Sequence, residues 1–232
     1  MTEYSPTDKA RLVRGIFTRI AFRYDLMNRI MSVGQDRAWR RASVRLANVP
    51  EQGRLLDLGC GTGDMAAEAL RQYPGRHVLA MDFTPAMLEV GRRRACAVRD
   101  WTAGDALRLP LPDGTFDAVI SAFLLRNVAD LQQSLKEQRR VLKPGGRVVI
   151  LDATQPGSSI FTPLVRVYLH RFIPLMGRAI IGQAEAYAYL PDSMEKFVRA
   201  EDLAARMISV GFHAVTFRRL NFGTMAIHWA VK

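Results

Sequence analysis

Between Arg54 and Thr154 short apolar runs alternate with amphipathic stretches, and this rhythm constrains the fold more than any other feature of the chain. RLLDLG, HVLAMD, AVRDWTAG, FDAVISAF and GRVVILDAT read as strands. TGDMAAEALRQY, TPAMLEVGRRRA and LQQSLKEQRRVL read as helices, the second with Thr84 as N-cap and Pro85 at its first position, the third closed by KPGG. Such an alternation buries its apolar surface in a parallel sheet with helices on both faces. After the helix AEDLAARMISVG come two more β-like runs, HAVTFRRL and GTMAIHWAVK; the short link Asn221-Phe222-Gly223 predicts an antiparallel hairpin at the sheet edge. The expected fold is α/β, a doubly wound, mainly parallel, seven-stranded sheet with that C-terminal hairpin.

The flanks break the rhythm. From Leu12 to Tyr24 apolar residues recur at helical spacing (Leu12, Val13, Ile16, Phe17, Ile20, Tyr24), with Arg11 and Arg14 turned away. A second amphipathic helix is expected from Asp36, as N-cap, through Trp39 to Leu46. Residues 155–190 contain LVRVYLHRFIPLMGRAIIG, in which Pro163 and Pro174 bracket a further helix and Arg166, Arg171 and Arg178 are interspersed. The chain is read as one domain: a helical cap (1–50), a cofactor-binding core (51–154), a substrate or lid insertion (155–190) and a C-terminal helix and hairpin (191–232).

Charge is unevenly placed. Residues 1–50 hold ten Lys/Arg against four Asp/Glu, whereas residues 51–154 hold fourteen against thirteen, within a total formal charge of +11. A basic N-terminal region seeks phosphate, in lipid headgroups or in nucleic acid. No run approaches about 18 uninterrupted apolar residues and MTEYSPTDKAR has no apolar signal core, so neither a spanning helix nor secretion is expected. Cys60 and Cys96 lie far apart without metal-ligand spacing, which points to a reducing, cytoplasmic compartment and to no metal site.

The first strand runs directly into Asp57-Leu58-Gly59-Cys60-Gly61-Thr62-Gly63-Asp64 and a helix. Alternate glycines let the backbone turn sharply and approach a ligand closely. This is Gly-x-Gly-x-Gly rather than the dinucleotide Gly-x-Gly-x-x-Gly, and it lacks the Lys-Ser/Thr of a phosphate loop. Alone it is also what a tight β–α turn looks like. Asp82 ends the second strand nineteen residues after Gly63, where an acid can accept both hydroxyls of a ribose. After the third strand comes Gly104-Asp105-Ala106, where Asp105 can accept an adenine amino proton while the Ala106 N–H meets a ring nitrogen. Three such signals after three successive strands specify an adenosyl ligand, read as S-adenosylmethionine (SAM).

Beyond these motifs the chain resembles the ubiquinone/menaquinone biosynthesis C-methyltransferases over nearly its whole length. The resemblance is carried by Phe17–Arg29 (FTRIAFRYDLMNR), Met31-Ser32-Val33-Gly34, Trp39-Arg40, LDLGCGTGD, DFTPAML, GDALRLPLPD, Phe123–Leu131 (FLLRNVADL), Tyr187–Ser193 and GTMAIHWAVK. YDLMNR, LRNV and the terminal AIH discriminate this family from the wider superfamily. Leu124 stands where the family has glycine, Asp152 where glutamate is common, and Trp229 where a smaller residue is frequent. The resemblance implies a Rossmann-like class I SAM-dependent methyltransferase. Its cofactor-binding set is Tyr24, Asp57, Gly59, Gly61, Thr62, Gly63, Asp82, Phe83, Met87, Asp105, Ala106 and Ser121.

The family's chemistry is C-methylation of a polyprenylated quinol, here demethylmenaquinol or a related benzoquinol. A ring carbon becomes nucleophilic when a hydroxyl loses its proton, so the enzyme must align carbon and methyl, exclude water and assist proton loss. Arg126 and Asn127 are the expected catalytic pair, the guanidinium stabilising the quinolate and polarising a water. Tyr24 and Asp25 are expected to close over the cofactor, Asp25 being alternatively an N-cap; His170 and His228 are secondary candidates for a base. A membrane-borne substrate implies work at the inner, anionic membrane face, with Val165, Tyr168, Leu169, Phe172 and Ile173 in the interface or lining a channel. Methylation of another hydrophobic aromatic is the alternative. Nucleic acid is not an expected partner, because no Asn/Asp-Pro-Pro-Tyr motif or RNA-binding appendage is present; a homodimer is left open.

Overall fold

The computed structural model describes residues 5–95, 97–155, 193–194 and 197–232. Its strands are β1 (Arg54–Leu58), β2 (His77–Asp82), β3 (Asp100–Ala103), β4 (Phe116–Ala122), β5 (Leu142–Ala153), β6 (His213–Leu220) and β7 (Met225–Val231). They form one sheet in the order β3-β2-β1-β4-β5-β7-β6. Neighbouring pairs are parallel from β3 through to β5, and β7 lies antiparallel to both β5 and β6. The expected doubly wound sheet and C-terminal hairpin are therefore present. The helices are α1 (Pro6–Ile20), α2 (Tyr24–Met31), α3 (Asp36–Ala47), α4 (Asp64–Gln72), α5 (Pro85–Arg94), α6 (Leu131–Val141) and α7 (Ala200–Ser209).

Strand side chains alternate between the faces, and each face has its own core. Leu55, Ile120, Val149, Leu151 and Ile227 pack with Val44 and Ala47 of α3 and Met65 and Ala69 of α4. Leu56, Leu58, Val119, Val148 and Ile150 pack with Leu135 of α6 and Leu203 and Met207 of α7. Burial on both faces explains why the central strands read as near-continuous apolar runs. The chain winds outward through β1, β2 and β3, then returns to place β4 on the other side of β1. That reversal opens a crevice at the carboxyl ends of β1 and β4, where ligands bind in folds of this kind.

Several local expectations are corrected. The helix expected over Leu12–Tyr24 is two helices joined by a 3-10 turn (Ala21–Arg23), so Tyr24 opens α2 instead of closing α1. α1 starts at Pro6 because Ser5 Oγ caps it, accepting from the Asp8 N–H at 3.2 Å. Asp36 is the first residue of α3, not its N-cap; its N–H donates to Ser32 Oγ and its carboxylate accepts the Ser32 hydroxyl at 3.0 Å. Thr84 occupies the cap position of α5 but its side chain makes no capping bond; its N–H donates to Asp82 Oδ1 at 2.7 Å. KPGG is not the turn that closes α6: β5 already begins at Leu142, and Gly145 and Gly146 exchange backbone bonds with Lys232. β3 is shorter than AVRDWTAG, beginning at Asp100. The link 221–223 is a 3-10 turn with Asn221 and Phe222 at positive φ. Cys96, His170, the helix expected between Pro163 and Pro174 and most of the 155–190 insertion lie outside the described residues.

Candidate active site

The glycine turn closes the carboxyl end of β1. Cys60 N–H donates to Met81 O at 2.9 Å, pinning the turn to β2, and Gly63, in the left-handed region, hands the chain to α4. Gly59 also has positive φ, and a Cβ there would stand 2.8 Å from Leu124 Cδ1, so the turn and the loop after β4 touch. Asp57 lies fully buried beneath the turn, near the first N–H groups of α4. Desolvation raises its carboxyl to about 7, against the opposing pull of Arg40 and the Ala66 N–H. That amide gives it no well-formed hydrogen bond.

Asp82 ends β2 half-buried beside the turn. Its Oδ2 accepts the Gly61 N–H at 2.8 Å and its Oδ1 the Thr84 N–H at 2.7 Å, which leaves a lone pair on each oxygen for a diol. Desolvation pushes this carboxyl up and the amides hold it down. Gly104 N–H donates to Asp82 O at 3.1 Å, so the Gly-Asp-Ala turn after β3 is tied to the same spot. There Ala106 is buried, and exposed Asp105 accepts its own Leu107 N–H at 2.9 Å. Met87 is buried, and Phe83 is exposed beneath the Arg14 guanidinium.

The N-terminal helices lie against this turn. Tyr24 is close enough that a Cβ on Gly61 would stand 3.7 Å from its Cε1. Asp25 is no N-cap: buried in the first turn of α2, its Oδ1 accepts the Thr62 hydroxyl at 2.6 Å and its Oδ2 pairs with Arg94. Desolvation, then Asp64, raises its carboxyl. Thr62 thus latches the helical cap to the glycine turn, a contact that sequence spacing could not show.

After β4 the chain turns sharply at Phe123, whose φ is +60°, and Arg126 and Asn127 follow, both buried. Arg126 Nη1 donates to Asp152 Oδ1 at 2.7 Å, while Asp152 Oδ2 accepts the Leu125 N–H at 2.8 Å. Asn127 Nδ2 donates to Phe123 O at 2.8 Å and fixes the turn. The guanidinium carbons of Arg126 and Arg40 each lie 5.2 Å from the Phe123 ring centroid. Both cations lower the Tyr24 hydroxyl's pKa, although burial outweighs them and raises it. Tyr24, Arg40, Phe123 and Arg126 therefore form one cluster at the crevice. Two predicted residues sit elsewhere. Ser121 is fully buried with its hydroxyl unpartnered, and His228 is buried under α7, its Nε2–H donating to Ala200 O at 2.9 Å. Burial lowers the His228 pKa.

A seven-stranded sheet of this order, carrying its glycine turn at the β1–β4 switch point, is the architecture of class I SAM-dependent methyltransferases. A solved SAM-dependent methyltransferase of Thermotoga maritima, described as a possible histamine N-methyltransferase, shares the fold with a TM-score of 0.68 at 21% identity, over 95% of this chain and 99% of that one. Within that class the chain belongs to the ubiE/COQ5 methyltransferase family, which it matches over residues 5–232. It is 47% identical to the ubiquinone/menaquinone biosynthesis C-methyltransferase UbiE of Desulfotalea psychrophila, over 95% of this chain and 90% of that protein. It is 46% identical to the demethylmenaquinone methyltransferase of Thermus thermophilus, over 92% and 98%. The protein is a SAM-dependent C-methyltransferase.

Proposed function

We propose that the enzyme methylates a ring carbon of a polyprenylated quinol, demethylmenaquinol or a related benzoquinol, at a membrane surface. The observation that carries this reading is the buried Arg126 guanidinium, held by Asp152 beside the Phe123 ring at the mouth of the β1–β4 crevice. The names of the relatives from Desulfotalea psychrophila and Thermus thermophilus support the quinone substrate.

The residues present fit SAM. Asp82 keeps lone pairs for the ribose, the Ala106 turn lies beside it for adenine, and the orphaned polar groups Asp57 and Arg40 lie at the glycine turn. When bound, SAM supplies an electrophilic methyl group on sulfonium. A guanidinium has donors and no acceptor, so Arg126 is not the base. It faces the developing quinolate with a charge that already has a fixed position, so no reorganisation is needed as negative charge builds. Asp152 is no base either, since both its oxygens are taken by Arg126 and backbone amides. His228, neutral and donating to Ala200, is engaged in the fold. With Asp152 and His228 engaged, proton departure is assigned to a water polarised by Arg126. Tyr24 and the latched helices α1 and α2 exclude bulk solvent from the methyl path.

For the membrane part of the reading, Phe22, Leu26 and Val33 on the helical cap are 82%, 50% and 79% exposed, and the same cap carries exposed Arg14, Arg19 and Arg37. Among the described residues no helix is long and apolar enough to cross a membrane. The test is incubation with SAM and, in separate arms, reduced demethylmenaquinone and a demethoxylated ubiquinol precursor. A product heavier by one methyl on a ring carbon in either arm supports the proposal. No methylation in both, with SAM bound, overturns it.

A further inference from the structure

Arg40 is a buried cation without a hydrogen bond. Its side chain is 8% exposed, and its Nε is buried without a partner. The nearest carboxylate oxygens, Asp36 Oδ2 and Asp64 Oδ2, stand 3.7 and 4.0 Å from that Nε, beyond hydrogen-bonding reach. A guanidinium presents five donors in a fixed fork, and leaving them unmade away from water is costly. The neighbouring Arg126 is anchored through Nη1 to Asp152 at 2.7 Å, although its Nε, too, is buried without a partner. Arg40 is thus the cluster's guanidinium held only by long ion pairs, with no hydrogen bond of its own, and a guanidinium fork matches a planar carboxylate.

Its place in the sheet says which carboxylate. The strand order β3-β2-β1-β4 lays out the crevice from one end to the other. The Gly104-Asp105-Ala106 turn lies at β3, Asp82 at β2, the glycine turn at β1 and Phe123 at β4. Arg40 reaches the last two: it stacks on Phe123, and its charge is felt by Asp57 and Tyr24. Adenine at β3 and ribose at β2 put the amino-acid end of the donor over β1 and β4. We propose that Arg40 receives the α-carboxylate of SAM there, with Asp57 beneath the turn as the acid nearest its ammonium. This rests on the adenosyl site being where the proposed function puts it.

Calorimetry with two ligands separates the ideas. 5′-Methylthioadenosine keeps the adenine and ribose of SAM but lacks its amino-acid end, and decarboxylated SAM lacks only the carboxylate. Arg40→Gln should weaken SAM binding at least about tenfold, the scale of a lost charge-assisted hydrogen bond, and leave methylthioadenosine within about twofold. Arg40→Lys, keeping charge but losing the fork, should fall between. Asp82→Ala should weaken both ligands alike. Equal losses for both ligands on Arg40→Gln, or none, would overturn the role of Arg40 while leaving the adenosyl site standing. Wild-type protein that binds neither ligand would instead remove the site itself. Should Arg40→Gln fail to fold, the wild type decides: it must bind SAM more tightly than decarboxylated SAM, and equal affinities refute the proposal.

Discussion

Arg126 Nη1 and Asp152 Oδ1 meet at 2.7 Å with their side chains 6% and 2% exposed, joining the loop after β4 to the end of β5. Removing one partner of a buried pair strands the other charge, which costs about 3–5 kcal/mol. Asp152→Ala should therefore lower unfolding stability by that amount and cut kcat through loss of Arg126 geometry. Asp152→Glu should retain most of both. The double variant Asp152→Leu/Arg126→Met, with no charge left to strand, should regain most of the stability and none of the turnover. Urea titration alongside single-turnover rates checks all three. A cost under about 1 kcal/mol for Asp152→Ala would mean that the pair is as weak as an exposed one.

Asp57 titrates near 7 because desolvation favours its neutral form. The folded-state pKa lies above the unfolded value, so its contribution is fully present below pH 4 and is lost as pH rises toward 7. Asp57→Asn, which stays neutral throughout, should gain on the wild type across that window and run parallel to it above. The comparison is of two denaturation series taken at closely spaced pH values. A constant difference between them would show that Asp57 is solvated as an ordinary carboxylate.

Legibility in the sequence followed the range of the interactions. The sheet was readable because alternation is a local pattern repeated five times, and the Gly-x-Gly-x-Gly turn, Asp82 and Gly104-Asp105-Ala106 because each sits at the end of its own strand. What was not readable depends on side chains far apart in the chain. Asp25 and Thr62 are separated by thirty-seven residues, and Arg126 and Asp152 by twenty-six. Arg40 appeared only as half of Trp39-Arg40, and nothing in that pair says that its guanidinium stacks on the Phe123 ring beside Arg126. Ser121 fits the spacing of a strand-end contact, yet the β4 register turns it into the face packed by α6 and α7. KPGG resembles a turn in isolation and becomes strand only because Lys232 pairs with it.

Gly59 and Leu124 should be energetically coupled. Gly59→Ala adds a Cβ in the left-handed region and drives it to 2.8 Å from Leu124 Cδ1 and 3.1 Å from Leu124 Cβ. The conformation alone costs roughly 1–2 kcal/mol, and the clash adds to it. Leu124→Gly relieves the clash but not the conformation. A double-mutant cycle in urea should therefore give a favourable coupling of about 0.5–3 kcal/mol. Additivity within about 0.5 kcal/mol would show that the two residues do not touch.

The exposed face of the helical cap should bind anionic membranes through two separable contributions. Phe22, Leu26 and Val33 present apolar side chains to water, and a fully buried residue of this type is worth about 1.5–3 kcal/mol. Exposed Arg14, Arg19 and Arg37 add attraction of about 1 kcal/mol for each that reaches the anionic leaflet. The electrostatic part is screened beyond about 8 Å at physiological ionic strength, whereas the apolar part is not. Vesicle co-sedimentation should accordingly show binding to anionic and not neutral bilayers at low salt, with partial release as salt rises. Phe22→Ser/Leu26→Ser should remove the salt-resistant fraction, and Arg19→Glu/Arg37→Glu the salt-sensitive one. Neither pair lies in the catalytic cluster, so turnover of a short-chain, detergent-dispersed quinol should stay at the wild-type level in both. Equal recovery with neutral and anionic vesicles, or none with either, would place the meeting with a prenylated substrate on some other surface of the protein.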